Sequence, residues 1–236
     1  MQDITFSPIG IVNSPYKEKF AIPRQPGLVS AAKGSVKLIA AVNNIDAVRE
    51  LEQFSHIWLL FVFHGTQEQG WKPLVRPPRL GGNKKMGVLA TRSTFRPNPI
   101  GMSVVKLDNI EIVNQDVILN ISGLDLLDQT PIVDIKPYLP YCDSIADAHA
   151  GFAQTEPQPE LSVIFSRQAQ HSLQNLENEY PELTLFIQQV LAQDPRPAYK
   201  QKALDTKIYG MNLYDLNIQW QMLDSQSIEV IDISLC

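Results

Sequence analysis

The longest purely apolar run in this chain is Ile57 to Phe63, seven residues. A membrane-crossing helix needs ~20. The aromatic and β-branched content of His56 to Phe63 instead marks a buried strand. The same short spacing governs the first two-thirds of the chain. Ile4 to Val12, Ser35 to Ala40, Met86 to Arg92, Met102 to Val113, Asp116 to Ile121 and Ile132 to Lys136 are strand-like and are punctuated by Pro and Gly. Asp116 to Ile121 can pair back on Met102 to Val113 as a hairpin across Asn114-Gln115. Only Asp46 to Leu51 reads as one or two helical turns, with Asp46 as N-cap. Many short strands and almost no helix predict a mainly β fold, a barrel or closed sheet.

Ser144 to Glu160, with Pro157 and Pro159, breaks this pattern and reads as a linker. After it come a strand over Leu161 to Phe165 and helices over Gln168 to Glu179 and Glu182 to Ala192, with Pro181 at the start of the second. Leu183, Phe186, Ile187, Val190 and Leu191 share one helical face. Leu213 to Leu223 and Ser227 to Ile233 are further strands. The expected organisation is a β-barrel N-terminal domain over 1–145, a linker over 146–160 and a small α+β C-terminal domain over 161–236. A content of 44% hydrophobic and 19% charged residues supports a sizeable core. Two cysteines, Cys142 and Cys236, exclude a disulfide framework and a Cys-rich zinc site. The opening residues lack a basic, apolar leader. The expectation is a cytoplasmic protein without a membrane segment and without a bound metal.

Charge is unevenly spread. Residues 1–106 hold 14 Lys/Arg and 6 Asp/Glu, and residues 107–236 hold 6 and 19, so the parts carry +8 and −13. No acid lies between Glu68 and Asp108, where Lys72, Arg76, Arg79, Lys84, Lys85, Arg92, Arg96 and Lys106 fall. Such a block suits a polyanion-binding face; it equally suits a surface that faces the chain's own acidic half.

Three segments carry residues that plain structure does not need. Phe20 to Gly27 holds Arg24 and Gln25 between Pro23 and Pro26 in a stiff loop. Ala90 to Gly101 carries two arginines, hydroxyls and Asn98 between prolines, a density of donors suited to carboxylate or phosphate. Gly123 to Pro131 places Asp125 and Asp128 at a strand end, either to meet a ribose or cation or to form Asx turns. His64, at the end of the apolar run, is a possible base or a sheet-edge hydrogen-bonding residue. No Gly-x-Gly-x-x-Gly follows a strand, so a Rossmann nucleotide site is unsupported, and the phosphate-loop and Gly-x-Ser-x-Gly patterns are missing too.

Taken in order, Pro8 to Tyr16, Pro23-Arg24-Gln25-Pro26-Gly27, Phe54-Ser55-His56-Ile57-Trp58, Thr91 to Gly101, Leu124 to Tyr138 and Asp194-Pro195-Arg196-Pro197-Ala198-Tyr199 resemble the TrmO (formerly YaeB/TsaA-like) family. The resemblance implies a tRNA methyltransferase that uses S-adenosylmethionine (SAM) and methylates N6 of threonylcarbamoyladenosine at tRNA position 37. It implies a β-barrel SAM-binding domain and a homodimer with SAM near the subunit interface. Residue by residue, it implies cofactor contacts from Pro23, Arg24, Gln25, His64, Gly65, Arg92 and Met102. Ser122, Gly123, Leu124 and Asp125 match the loop that receives the adenosine. Asp194, Arg196 and Tyr199 match a C-terminal motif associated with tRNA handling, and Lys84 and Lys85 belong to the expected RNA-facing block.

Methyl transfer from a sulfonium is an in-line displacement in which charge is lost, so alignment in a dry pocket is the main requirement. The accepting nitrogen belongs to a urea-like group and is a poor nucleophile. His64 or Asp125 can take its proton, and Arg96 and Asn98 can hold the threonyl carboxylate and carbamoyl oxygen. Two other readings compete: a non-catalytic RNA-binding barrel, and a SAM-dependent enzyme acting on a small molecule.

Overall fold

The computed structural model describes residues 4–158, 161–196 and 207–236. In chain order the elements are β1 (Gly10–Asn13), β2 (Lys33–Leu38), β3 (His56–Val62), β4 (Leu74–Val75), β5 (Met86–Gly87), β6 (Ile100–Val113), β7 (Asp116–Ser122), β8 (Pro131–Pro137), α1 (Pro140–Asp143), β9 (Ser162–Phe165), α2 (Arg167–Leu176), α3 (Leu183–Ala192), β10 (Tyr209–Leu213), β11 (Leu216–Met222) and β12 (Ser227–Leu235). Short 3-10 turns fill several connections. The fold is mainly β.

Six strands close on themselves in the order β1-β2-β7-β6-β3-β8, every pairing antiparallel. Closure follows from the alternation in the sequence: Val36 and Leu38 on β2, Ile57, Leu59 and Phe61 on β3, and Leu119 and Ile121 on β7 all point inward and are buried. Each such side chain contributes ~1.5–3 kcal/mol through removal from water. The β6–β7 hairpin turns at Asn114 and Gln115, with φ of 52° and 73°. Two successive left-handed residues make the two-residue turn whose twist matches that of the strands.

The second sheet runs β10-β11-β12-β9, with β9 parallel to β12. A parallel pair needs a crossover, and α2 and α3 supply its helices. Ser166 caps α2 by accepting a hydrogen bond from Ala169 N–H at 3.1 Å. All five residues of the apolar α3 face are buried, as the spacing requires. The two sheets meet where Tyr16 bridges to Leu213 and packs on Phe186, ring centroids 5.8 Å apart. Gln189 of α3 accepts from Ala31 N–H and donates to Ser30 Oγ, both at 3.0 Å, so the helix holds the connection between β1 and β2.

Several local expectations change. Ile4 and Phe6 stay exposed and only Gly10–Asn13 joins the sheet, because Pro8 interrupts the donors that a ladder needs. Met86 to Arg92 yields two strand residues and then a 3-10 turn closed by Thr91 N–H to Val88 O. Asn44, not Asp46, caps the first turn, because its side chain accepts from Asp46 N–H. Glu182, at φ 64°, opens α3, so Pro181 lies in the preceding turn. Tyr214, at φ 55°, turns the chain between β10 and β11, so the strand expected over Leu213 to Leu223 starts at Leu216 and Leu213 ends the preceding strand.

Candidate active site

The Pro23–Gly27 loop is pinned from below. Gly27 N–H donates to Gly123 O at 2.8 Å, and Gly123 N–H donates to Ala32 O at 2.9 Å. Gly123 has a φ of +71°, in the left-handed region that favours glycine, while a Cβ there would make only an ordinary contact with Gly27 Cα at 3.6 Å, so the backbone of the turn after β7, not its space, selects glycine. Two of the three segments singled out in the sequence are thereby joined. The third reaches them through Arg92, whose Nη1 donates to Gln25 Oε1 at 2.7 Å.

Between them opens a cavity of about 840 Å³. Pockets that take a drug-sized ligand span ~300–1,000 Å³. Phe61, Phe63 and Phe95 give it apolar walls, and Lys19, Arg24, His64, Arg92 and Arg96 bring cationic or basic groups to it. Asp125 is the one carboxylate among the lining residues described. It lies between Leu124 and Leu126, both fully buried, and its Oδ1 accepts from Ser103 Oγ at 2.6 Å. Burial pushes the Asp125 carboxyl up to about 6, although the Ser103 hydrogen bond and the Arg92 charge pull the other way. Behind it, the buried Tyr16 hydroxyl has no hydrogen-bond partner among the described residues. Its ionisation is pushed well above the usual phenol range, first by burial and then by the Asp125 charge.

Of the residues singled out from sequence, Pro23, Arg24, Gln25, His64, Gly65, Arg92, Arg96, Met102 and Asp125 line this one cavity. Arg96 is partly committed, with Nη1 donating to Thr91 O at 2.6 Å to brace the loop. Met102 is 51% exposed at an outward position of β6. Asn98 is exposed on the turn before β6 and is not among the lining residues. Ser122, Gly123 and Leu124 support the site from beneath: Ser122 donates to Asp108 Oδ1 at 3.1 Å, and Leu124 is fully buried. Sequence reasoning missed Ser103, Lys19 and the three phenyl walls. A signal for Ser103 was present, since it is the polar member of the inward row Gly101, Ser103, Val105, Leu107.

A second cavity of about 380 Å³ shares the Lys19–Arg24 wall and is bounded by Arg76, Asp194 and Arg196. Asp194 and Arg196 form a two-pronged ion pair, Nε to Oδ1 at 2.8 Å and Nη2 to Oδ2 at 2.7 Å, and both side chains are buried. Tyr199 lies outside the described residues. Within the basic stretch, Lys106 pairs with Asp108 at 3.0 Å, while Lys84 and Lys85 are exposed and in no ion pair among the described residues. Among the described residues no group of three His, Cys, Asp or Glu side chains is placed to hold a metal, and no helix is long and apolar enough to cross a membrane.

Known proteins share this architecture. A family model described as the tRNA-methyltransferase O N-terminal domain matches residues 11–144, and one described as the TrmO C-terminal domain matches residues 158–235. The tRNA (adenine(37)-N6)-methyltransferase of Escherichia coli (strain K12) is 56% identical over 225 residues, which cover 95% of this chain and 96% of that protein. A putative S-adenosylmethionine-dependent methyltransferase RcsF of Pseudomonas aeruginosa is 48% identical, covering 97% of this chain and 96% of its own length. A crystal structure of TrmO from P. aeruginosa superposes with a TM-score of 0.82 at 40% identity, over 100% of this chain and 99% of that one. With both halves of the chain matched in order, this protein belongs to the tRNA-methyltransferase O family.

Proposed function

We propose that this chain is a SAM-dependent tRNA methyltransferase that methylates N6 of adenine 37, with threonylcarbamoyladenosine as the accepting base. The observation that carries the reading is the cavity itself: three phenyl walls, a cationic rim and one half-buried carboxylate. That donor set fits SAM. Arg24 and Arg92 suit its carboxylate, Asp125 suits its hydroxyl or amine donors, and the phenyl rings suit its adenine and sulfonium. When bound, SAM supplies the electrophilic methyl group.

The chain's own residues then orient and dry the site. Phe61 and Phe63 exclude water from the side of β3. Gln25, held by Arg92, stiffens the loop that closes over the cofactor. His64, on the turn after β3, takes the proton from the accepting nitrogen. Arg96, in the cavity lining, and Asn98, exposed on the turn that follows it, hold the threonyl carboxylate and carbamoyl oxygen of a base entering from outside. Lys84 and Lys85 meet the tRNA backbone, for which an exposed, unpaired cation is suited. The buried Asp194–Arg196 pair shapes the wall beside the cofactor loop, and its contribution to tRNA handling runs through that wall.

The same reading makes the protein a cytoplasmic homodimer, divided into a cofactor domain over 1–145 with the closed sheet as its barrel, a linker over 146–160 and a C-terminal domain over 161–236. Ile100 and Met102, 38% and 51% exposed at the cavity edge, give the dimer an apolar contact beside the cofactor. A single-chain mass of 26.5 kDa by light scattering at all concentrations refutes the dimer.

Incubating the pure protein with methyl-deuterated SAM and tRNA, followed by mass spectrometry of the nucleosides, tests the activity. The labelled methyl group is expected on threonylcarbamoyladenosine. Label on unmodified adenosine alone removes the finer substrate assignment, and no label in tRNA refutes the whole.

A further inference from the structure

Ser103 is 2% exposed and stands in a row of β6 residues that otherwise presents Gly101, Val105 and Leu107 to the interior. A buried hydroxyl costs free energy unless it is hydrogen-bonded, so its presence in an apolar row calls for a partner. Its partner is Asp125 Oδ1, 2.6 Å away on the loop after β7, at the side of the cavity. The bond ties the strand beneath the site to the loop that carries its only lining carboxylate among the described residues.

We propose that Ser103 is a positioning residue of the cofactor site: its hydroxyl fixes Asp125 Oδ1 and leaves Oδ2 as an oriented acceptor for a donor group of SAM. This rests on the reading of the cavity as the SAM site. The hydroxyl acts in two ways. It holds the carboxylate in one rotamer, so that a ligand meets a preformed acceptor. It also donates to the charged form, which keeps the carboxylate ionised nearer neutral pH despite its burial. Of the titratable and charged groups near the site, Tyr16 from the connection after β1 and Arg92 from the loop before β6 act on Asp125 directly, while Lys19 and Arg24 from the connection after β1, His64 from the turn after β3 and Arg96 from the loop before β6 share the cavity with it.

The test is calorimetric binding of SAM from about pH 6 to about pH 8.5 by wild type, Ser103→Ala, Asp125→Asn and the double variant. Ser103→Ala should weaken binding ~10-fold near pH 7, the scale of one hydrogen bond to a charged group. The deficit should shrink as pH rises and the remaining carboxyl ionises. Asp125→Asn should bind weakly at every pH, and the double variant should be no weaker than Asp125→Asn. Ser103→Thr, which keeps the hydroxyl, should restore the wild-type pH profile. Wild-type affinity and pH profile in Ser103→Ala, or an equal further loss in the Asp125→Asn background, overturns the proposal. A wild-type protein that binds no SAM overturns the cofactor reading instead. In that case carbon NMR of the Asp125 carboxyl still decides the contact: it should titrate higher in Ser103→Ala, and an unchanged titration removes the role of Ser103.

Discussion

Gly101 is the position where the smallest perturbation should produce the largest double effect. It faces Phe61 across the β3–β6 pair. A Cβ built on it falls 2.4 Å from Phe61 Cε2 and Cζ and 2.8 Å from Phe63 Cζ. Phe61 has little room to yield, because it is 6% exposed and packs edge to face on Phe63 at 5.2 Å. Overpacking of this kind costs ~1–3 kcal/mol. For a chain of this length, ~1 kcal/mol lowers the melting midpoint by ~2–4 °C, so Gly101→Ala should melt roughly 2–12 °C below wild type. Both rings also wall the cavity, so their displacement should weaken SAM binding in the same variant. Gly87→Ala is the control: nothing lies within 4 Å of a Cβ there, its φ of −58° suits alanine, and its midpoint should hold or rise slightly. Differential scanning calorimetry and SAM titration read both effects. A Gly101→Ala midpoint within about 1 °C of wild type, with unchanged SAM affinity, would refute the packing argument.

Three further outcomes are expected. Asp125 titrates at about 6 in the fold against ~4 in the unfolded chain, so its contribution to stability is full below about pH 4 and lost as pH rises through about 6, ~2–3 kcal/mol in all. Asp125→Asn should remove that fall, and urea denaturation profiles of the two proteins that run parallel from pH ~4 to ~8 would contradict it. Replacing Lys84 and Lys85 together by Ala should weaken tRNA binding and flatten its salt slope by roughly one to two while leaving SAM affinity unchanged; a full salt slope in the double variant reassigns the basic stretch to structure. Arg196→Ala leaves the Asp194 carboxylate buried without its two-pronged partner and should cost ~3–5 kcal/mol, whereas a loss below ~1 kcal/mol in denaturant would show that water reaches the carboxylate.

Local periodicity carried much of the fold. The apolar run of β3, the alternation of β6, its hairpin partner β7 across a two-residue turn and the buried face of α3 could all be read directly, because burial repeats every two residues in a strand and about every 3.6 in a helix. The loops around Arg24, Arg92 and Asp125 stood out because their residues are ill suited to plain turns. Composition misjudged elements whose identity depends on a partner. Ile4 to Val12 had strand content but mostly no strand beside it, and Met86 to Arg92 found only β4 to pair with. What tertiary structure alone decided is who meets whom at the site. Ser103 and Asp125 are brought together by the register of β6 and β7, and Arg92 and Gln25 by the folding of two distant loops. Arg96 turns its Nη1 donor to its own loop, and Asp194 and Arg196 bury their charges on each other. A side chain's chemical type is local, but its burial, its hydrogen-bond partner and its protonation are set by neighbours that only the closed sheet and the docked α3 bring within reach.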